Sequence, residues 1–172
     1  HPQGYKSSVE LVQYINDETD ITTFVSAYPE KHPESKSLQS DIDLLKEKID
    51  AGASKAITQF ALDTACYINF REDLQKANID IPIIPGLMPI KSFEGAANMA
   101  KKCGVSIPSS FVKLFDNNLC QSEHEKISTE FIIQQSSQLA KEGFDRLHFY
   151  TLNDSEIIIK VCESLGISIS KH

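Results

Sequence analysis

The sequence has few prolines and glycines, seven of each in 172 residues, and it has no long apolar run. Stretches such as residues 79–84 are far too short to cross a bilayer. A clustered stripe of Lys and Arg is also missing, and the net charge is -7, so the positive surface that nucleic acid requires is absent. We therefore expect no membrane and no nucleic-acid partner. With 41% hydrophobic and 24% charged residues, the composition is typical of a globular domain.

The four cysteines lie far apart and form no C-x-x-C pair, which argues against a zinc knuckle or a redox dithiol. The histidines lack the close spacing of metal ligands, so we expect no metal site. A reduced, cytoplasmic protein is the expectation. The chain begins with His1, and nothing before Ser7 resembles a signal peptide. We interpret it as a fragment, or as a chain whose start has been trimmed.

Helical and extended patterns alternate along the chain. Apolar spacing predicts helices over residues 7–15, 38–51, 64–77, 93–103, 108–115, 123–142 and 155–165. Ser7 or Ser8 could cap the first helix, and Asn153 or Asp154 the last. Short β-branched or apolar segments predict strands over residues 21–28, 56–60, 81–88 and 146–152. Four strands, each followed by a helix, imply a parallel sheet with right-handed crossovers and no second domain.

Four such units fit either a small open sheet with helices on both faces or half of an eight-stranded barrel. An open nucleotide-binding sheet normally has a glycine-rich loop after its first strand, and residues 28–33 contain no glycine. A closed barrel needs about 250 residues, so this chain is too short to form one alone. The pattern by itself leaves both architectures open.

Polar residues recur where the predicted strands end: Tyr28 and His32 after the first, Gln59 on the second, and residues 150–153 on the fourth. Ligands of parallel α/β folds bind at this end of the strands. Each residue alone has a structural explanation, and a functional site is indicated only by their convergence. The lysines at 36, 46 and 48 could lie on a solvated helix face, or one of them could reach a ligand phosphate.

Four blocks of distinctive sequence follow one another along the chain. They are Ser-Ala-Tyr-Pro-Glu at 26–30 with His-Pro-Glu at 32–34, Asp-Ala-Gly-Ala at 50–53 with Ile-Thr-Gln-Phe at 57–60, Pro-Ile-Ile-Pro-Gly at 82–86 with Met-Pro at 88–89, and His-Phe-Tyr-Thr-Leu-Asn at 148–153. In this order and spacing the blocks resemble methylenetetrahydrofolate reductase. The resemblance implies an α/β fold of the (β/α)8 TIM-barrel type. Residues 1–172 would form the C-terminal half, with four βα units, of a single flavin-binding barrel domain.

The implied activity is that of an oxidoreductase acting on CH-NH donors. NADH or NADPH reduces FAD, and the reduced flavin then reduces 5,10-methylenetetrahydrofolate to 5-methyltetrahydrofolate in a ping-pong sequence. The implied partners are the folate substrate and either a second copy of the chain or a missing N-terminal half. Such a protein serves one-carbon metabolism and methionine biosynthesis.

The resemblance also assigns residues. Those that match FAD-contacting positions are Tyr28, His32, Ser35, Asp41 and Lys48. Gln59 matches the glutamine that contacts the folate pterin and the nicotinamide in turn, and a carboxamide suits both because it offers a donor and an acceptor without charge. Ala53 would act through packing against the FAD-binding helix.

Some positions depart from the family pattern. Leu44 and Glu47 replace polar or basic residues that help to bind FAD in some members. Gly95 lacks a side chain that some members direct at folate, and Asp154 stands where an arginine is usual. No catalytic residue is expected in this chain, since the general acid would lie upstream of His1. We therefore expect the isolated chain to be inactive.

Two alternatives remain at this point. One is a non-catalytic half-barrel that binds a partner or binds flavin weakly. The other is a flavin-free, pterin-binding methyltransferase barrel, which shares the substrate class.

Overall fold

The computed structural model describes residues 4–90, 92–115, 120–153 and 155–167. Helices and strands alternate through these ranges. The helices are α1 (Ser8–Glu18), α2 (Leu38–Asp50), α3 (Thr64–Lys76), α4 (Phe93–Cys103), α5 (Ser109–Val112), α6 (Gln121–Lys141) and α7 (Glu156–Ser164). The strands are β1 (Phe24–Ala27), β2 (Lys55–Thr58), β3 (Ile83–Ile84), β4 (Gly86–Leu87) and β5 (His148–Phe149).

All strand pairings are parallel. β1 pairs with β2 and β2 with β3, while β4 pairs with β5. Pro85 separates β3 from β4, since it has no N–H to continue a ladder, but its carbonyl still accepts a 2.9 Å hydrogen bond from the His148 N–H. The described strands thus form two sheets, β1-β2-β3 and β4-β5, and in each sheet neighbouring strands follow sequence order.

The prediction of an α/β fold with parallel strands is confirmed. Most helices begin and end within three residues of the predicted bounds, and the strands are shorter than predicted. The third predicted strand, residues 81–88, is divided into β3 and β4 by Pro85. Gln59 was expected on a strand and instead lies just after β2, because the ladder with β1 ends at the Ala27–Thr58 pair.

Side-chain capping explains where several helices begin. Ser7, one of the two predicted caps of α1, accepts a hydrogen bond from the Glu10 N–H at 3.2 Å. In α7 the N-cap position belongs to Ser155, not to the predicted Asn153. The other predicted cap, Asp154, lies outside the described residues.

The buried residues form three clusters. The first joins Val25 and Ala56 of the sheet to Leu45 of α2 and Phe70 of α3. In β1 the residues that face these helices are buried, whereas Phe24 and Ser26 on the opposite face are exposed. Helices therefore cover one face of β1 and leave its other face open.

The other two clusters lie further along the sheet. One packs α4 and α5 beyond the ends of β2 and β4, around Phe60, Met88 and Phe111. The other packs α6 and α7 against Tyr67 and Leu87. Within the described ranges, no helix is both long and apolar enough to span a bilayer.

Candidate functional site

The carboxyl ends of the strands bring distant residues together. Gln59 follows β2, and its N–H donates to the carbonyl of Ala27, the last residue of β1, at 2.8 Å. Tyr150 follows β5, and its hydroxyl donates to the Thr58 carbonyl at 2.8 Å. Tyr28 and Gln59 both line a small crevice of about 10 Å³. The convergence predicted for Tyr28, Gln59 and Tyr150 is present.

The loop between β1 and α2 folds back onto the start of α2. The Tyr28 and His32 rings meet edge to face, with their centroids 4.8 Å apart. The His32 N–H donates to Asp41 Oδ2 at 2.8 Å, and the Ser35 hydroxyl donates to Asp41 Oδ1. Asp41 is only 7% exposed, so both bonds are made to a carboxylate largely removed from water.

Lys48 lies on the buried face of α2 and is 4% exposed. Its Nζ donates to the carbonyl and the hydroxyl of Ser26 at the long distances of 3.3 and 3.4 Å. Burial lowers the pKa of the Lys48 ammonium, and nearby Asp41 opposes part of that effect. The prediction of a solvated helix face is thus wrong for Lys48. It is confirmed for Lys46, which forms an exposed ion pair with Asp50 at 2.9 Å.

Contacts join four of the five expected cofactor residues, and the fifth, Lys48, lies on the same helix as Asp41; we call these five residues the wall. Tyr28 touches His32, and Asp41 joins His32 to Ser35. Lys48 lies about two turns further along the same helix as Asp41 and interacts with it electrostatically. The wall combines an aromatic ring, hydroxyl and backbone donors, and a buried ammonium.

The Gln59 side chain is oriented by its own loop. Its Oε1 accepts a hydrogen bond from the Phe60 N–H at 3.1 Å. This bond uses the carbonyl oxygen and leaves the amide nitrogen as the donor of the group. Gln59 is half-buried, so part of its side chain is accessible at the surface.

Ala53 lies in the turn that joins α2 to β2. Its side chain is buried in the first core cluster, and its N–H donates to the Lys48 carbonyl at 3.0 Å. A larger side chain at this position would press on the turn that holds the end of α2.

A second cavity of about 270 Å³ opens beyond the ends of β4 and β5. Its walls are largely apolar. They come from the segment after β4, from α4, from the segment after β5 and from α7: Met88, Pro89, Ile90, Ser92, Gly95, Ala96, Met99, Thr151, Leu152 and Ile157. Leu152 and Asn153 both have positive φ, at 50° and 64°, a rare conformation that tends to occur at functional sites.

The departures from the family pattern fall in different places. Leu44 and Glu47 are exposed on α2, away from its buried face. Gly95 forms part of the wall of the larger cavity. Asp154 is outside the described residues. Across those residues, no group of three or more His, Cys, Asp or Glu side chains is arranged to hold a metal ion.

Sequence reasoning missed several polar residues around the site. Glu30 accepts hydrogen bonds from the Ser106 N–H and hydroxyl, which ties the β1–α2 loop to the segment after α4. Tyr67 and Gln135 form hydrogen bonds with Ala61 in the loop after β2. Gln135 had a detectable signal, because it lies three residues after Ile132 and four before Leu139, on the apolar side of α6.

Comparison with known proteins gives consistent matches. The sequence model described as methylenetetrahydrofolate reductase matches residues 1–166. The 5,10-methylenetetrahydrofolate reductase of Escherichia coli K12 is 39% identical over 167 residues, covering 96% of this chain and 56% of that protein. The enzyme of the same name from Buchnera aphidicola of Schizaphis graminum is 41% identical over 161 residues, covering 93% of this chain and 55% of that protein. The chain spans about half the length of these relatives.

Among solved structures, an uncharacterized Clostridium thermocellum protein, described as binding two copies of 5-methyl-5,6,7,8-tetrahydrofolic acid, superposes with a TM-score of 0.56. It is 19% identical, and the match covers 90% of this chain and 57% of that one, so it supports the fold alone. The family match over nearly the whole length is the stronger finding. The chain belongs to the methylenetetrahydrofolate reductase family.

Proposed function

We propose that this chain is part of an FAD-dependent enzyme that reduces 5,10-methylenetetrahydrofolate to 5-methyltetrahydrofolate with NADH or NADPH. The observation that carries the proposal is the wall of Tyr28, His32, Ser35, Asp41 and Lys48: contacts join the first four, Lys48 lies on the same helix as Asp41, and Tyr28 lies beside Gln59 at the ends of the strands. Family membership makes this reaction the natural use of such a wall.

The residues present fit an anionic, aromatic cofactor such as FAD. Lys48 has three N–H donors, and its two contacts to Ser26 are long, so the buried ammonium has capacity to bind a phosphate. His32, Ser35 and Asp41 would bind polar groups of the same molecule, and Tyr28 offers it an aromatic face. Bound here, FAD would supply the hydride transfer between the nicotinamide and the folate.

Gln59 would orient the reacting rings. Its amide can donate to a pterin or nicotinamide carbonyl, while the Phe60 N–H holds its oxygen in place. The larger cavity offers room for the part of the folate beyond the pterin, since its walls are apolar and Gly95 adds no side chain.

We further propose that residues 1–172 form the C-terminal half of one (β/α)8 barrel domain. Two features support a barrel over an open sheet with helices on both faces: neighbouring strands follow sequence order within each of the two sheets, and the helices of the described residues cover one face of β1. The remaining strands, and the general acid, would lie outside this chain. The protein would act in the cytoplasm, either as a homo-oligomer or with its N-terminal half supplied.

The test uses the complete gene product that contains this chain. We expect the purified protein to carry a flavin spectrum, which NADH or NADPH bleaches without oxygen and methylenetetrahydrofolate restores. Gln59→Ala should slow both half-reactions, and residues 1–172 alone should be inactive. Absence of bound or bindable flavin would overturn the proposal. Tetrahydrofolate binding without flavin would instead favour a methyltransferase barrel, and binding of neither would favour an interaction module.

A further inference from the structure

The short loop after β2, residues 59–61, is held by polar side chains from two helices. The Ala61 N–H donates to the Tyr67 hydroxyl at 2.7 Å. The Ala61 carbonyl accepts a hydrogen bond from Gln135 Nε2 at 2.9 Å. Tyr67 belongs to α3 and Gln135 to α6, so both backbone groups of Ala61 are fixed from elements distant in sequence. We call Tyr67, Gln135 and Ala61 the Ala61 clamp.

The Tyr67 hydroxyl also connects this loop to the neighbouring strand. It donates to the Gly86 carbonyl at 2.6 Å, while it accepts from the Ala61 N–H. Tyr67 is fully buried, and burial raises the pKa of its hydroxyl, so the proton needed for this bond is retained. One hydroxyl thus sets the distance between the loop after β2 and the start of β4.

The polar groups of Tyr67 and Gln135 are buried, and burying them costs free energy that apolar side chains at the same positions would not. Gln135 is 4% exposed and has Ile132 and Leu139 on the same side of α6. A buried amide or hydroxyl is unfavourable unless its hydrogen bonds are made, and an apolar residue of similar size would fill the same space. Both side chains direct their bonds to Ala61, two residues after Gln59.

Gln59 lies between two anchored residues. On one side the Thr58 carbonyl accepts from the Tyr150 hydroxyl, and on the other the clamp fixes Ala61. Its own N–H is bonded to the Ala27 carbonyl. The backbone that carries the Gln59 carboxamide therefore has little freedom to shift, which is what a side chain that must meet two ligands in turn requires.

We propose that Tyr67 and Gln135 are positioning residues that hold Gln59 for hydride transfer. This inference rests on the proposed function of Gln59. Neither side chain would touch the flavin or the folate. Their effect would reach the reaction only through the loop of residues 59–61 and the orientation of the Gln59 amide.

The test is a double-mutant cycle in the complete gene product. Gln135→Met removes the bond to the Ala61 carbonyl, and Tyr67→Phe removes the bonds of its hydroxyl to Ala61 and to the Gly86 carbonyl, both with little change in volume. Each should lower the rate of both half-reactions about tenfold, a loss near 1.4 kcal/mol, with a smaller change in KM. In a Gln59→Ala background the same changes should cost little more. An equal loss in both backgrounds would overturn the proposal, as would full activity in both single variants.

A second measurement separates failure of the proposal from failure of the proposed function. Amide hydrogen exchange should speed up at Ala61 and Phe60 in Tyr67→Phe, and at Phe60 in Gln135→Met. Thr23→Val is the control, because it removes a half-buried side-chain bond to the Gly52 carbonyl at the opposite end of the sheet. If the protein reduces no folate, the proposed function fails, but hydrogen exchange still tests whether Tyr67 and Gln135 hold the loop. Unchanged exchange at both amides would overturn the proposed positioning role.

Discussion

At the scale of single residues, the least expected feature is the buried ammonium of Lys48. Periodicity along α2 could not distinguish it from Lys46, since both lie near acidic residues. The difference arises from the sheet: Lys48 faces β1 and reaches the Ser26 carbonyl, while Lys46 pairs with Asp50 in solvent. Contacts between elements, which spacing does not encode, decide which of the two lysines is buried.

The lowered pKa of Lys48 leads to a prediction about stability and pH. Because burial lowers the folded-state pKa, the unfolded chain binds the Lys48 proton more readily, and folding carries a penalty at neutral pH. This penalty is relieved as pH rises through the lowered folded value towards 10.5, the ordinary value. Relative to Lys48→Met, the wild-type free energy of unfolding should therefore increase over that range. Urea unfolding at several pH values measures it.

The test is how the difference in free energy of unfolding between wild type and Lys48→Met changes with pH. The size of that difference at any one pH is less informative, because Lys48→Met also removes the bonds to Ser26. Lys46→Met is the matched control, since an exposed ion pair contributes less than about 1 kcal/mol and should leave the pH dependence unchanged. Parallel curves for wild type and Lys48→Met would contradict the prediction.

Cys66 gives a second prediction at this scale. Burial, followed by the nearby Glu30 and Asp63 carboxylates, raises the pKa of its thiol to about 12. Since the thiolate is the reacting species, iodoacetamide at pH 8 should modify Cys66 far more slowly than the exposed Cys120. Mass spectrometry of digested protein measures both rates.

Glu30→Gln should speed the modification of Cys66, because it removes one of the negative charges that oppose ionisation. Asp43→Asn, an exposed change on α2, serves as the control. Equal rates at Cys66 and Cys120 in the wild-type protein would show that the Cys66 thiol is not protected.

At the scale of elements, helices were easier to predict than strands. Apolar spacing, Ser7, and glycines such as Gly104 fix the helix bounds locally. Strand length depends on pairing with another segment, and here the ladders cover two to four residues. Pro85 illustrates why strand bounds are hard to predict. The proline is visible in the sequence, but the break into β3 and β4 also reflects their pairing with different strands, β2 and β5.

The site divides in the same way. Tyr28, His32 and Gln59 are predicted because strand ends concentrate ligand contacts, and Ser35, Asp41 and Lys48 because of the family resemblance, and their roles stay predictions. Tyr67 was missed because its partners are backbone groups of Ala61 and Gly86, which leave no mark in the sequence.

Gly86 yields a prediction about the joining of elements. A Cβ at this position would lie 2.2 Å from the Thr58 carbonyl oxygen and 2.6 Å from Tyr150 Cε2. The backbone oxygen cannot move aside without breaking the approach of β2 to β4. Gly86→Ala should therefore lower the free energy of unfolding by about 2–3 kcal/mol. Urea unfolding followed by circular dichroism measures the loss.

Gly143→Ala is the matched comparison, because it tests backbone conformation without crowding. Gly143 has φ of 87°, and no atom lies within 4 Å of the Cβ position. Its substitution should cost only about 1 kcal/mol, from the left-handed backbone. A larger loss for Gly143→Ala than for Gly86→Ala would contradict the packing argument.

At the scale of the whole molecule, the sheet has an unfinished side. Phe24 is 46% exposed on the open face of β1, and Lys55 Nζ lies 5.0 Å above its ring. The backbone groups of β1 point alternately towards β2 and towards the opposite edge of the strand. At that edge Lys48 reaches the Ser26 carbonyl. An apolar ring beside a strand edge without a partner strand in the described residues is a typical site of association between chains.

Residues 1–172 expressed alone should therefore self-associate as their concentration rises, with β1 in the contact. Phe24→Lys should shift the population towards monomer, because it replaces the exposed ring with a second positive charge beside Lys55. Leu11→Lys, on an exposed position of α1, is the control and should leave association unchanged. Sedimentation velocity over a concentration series measures both. A wild-type chain that stays monomeric would contradict the prediction, and equal effects of the two substitutions would place the contact elsewhere than at β1.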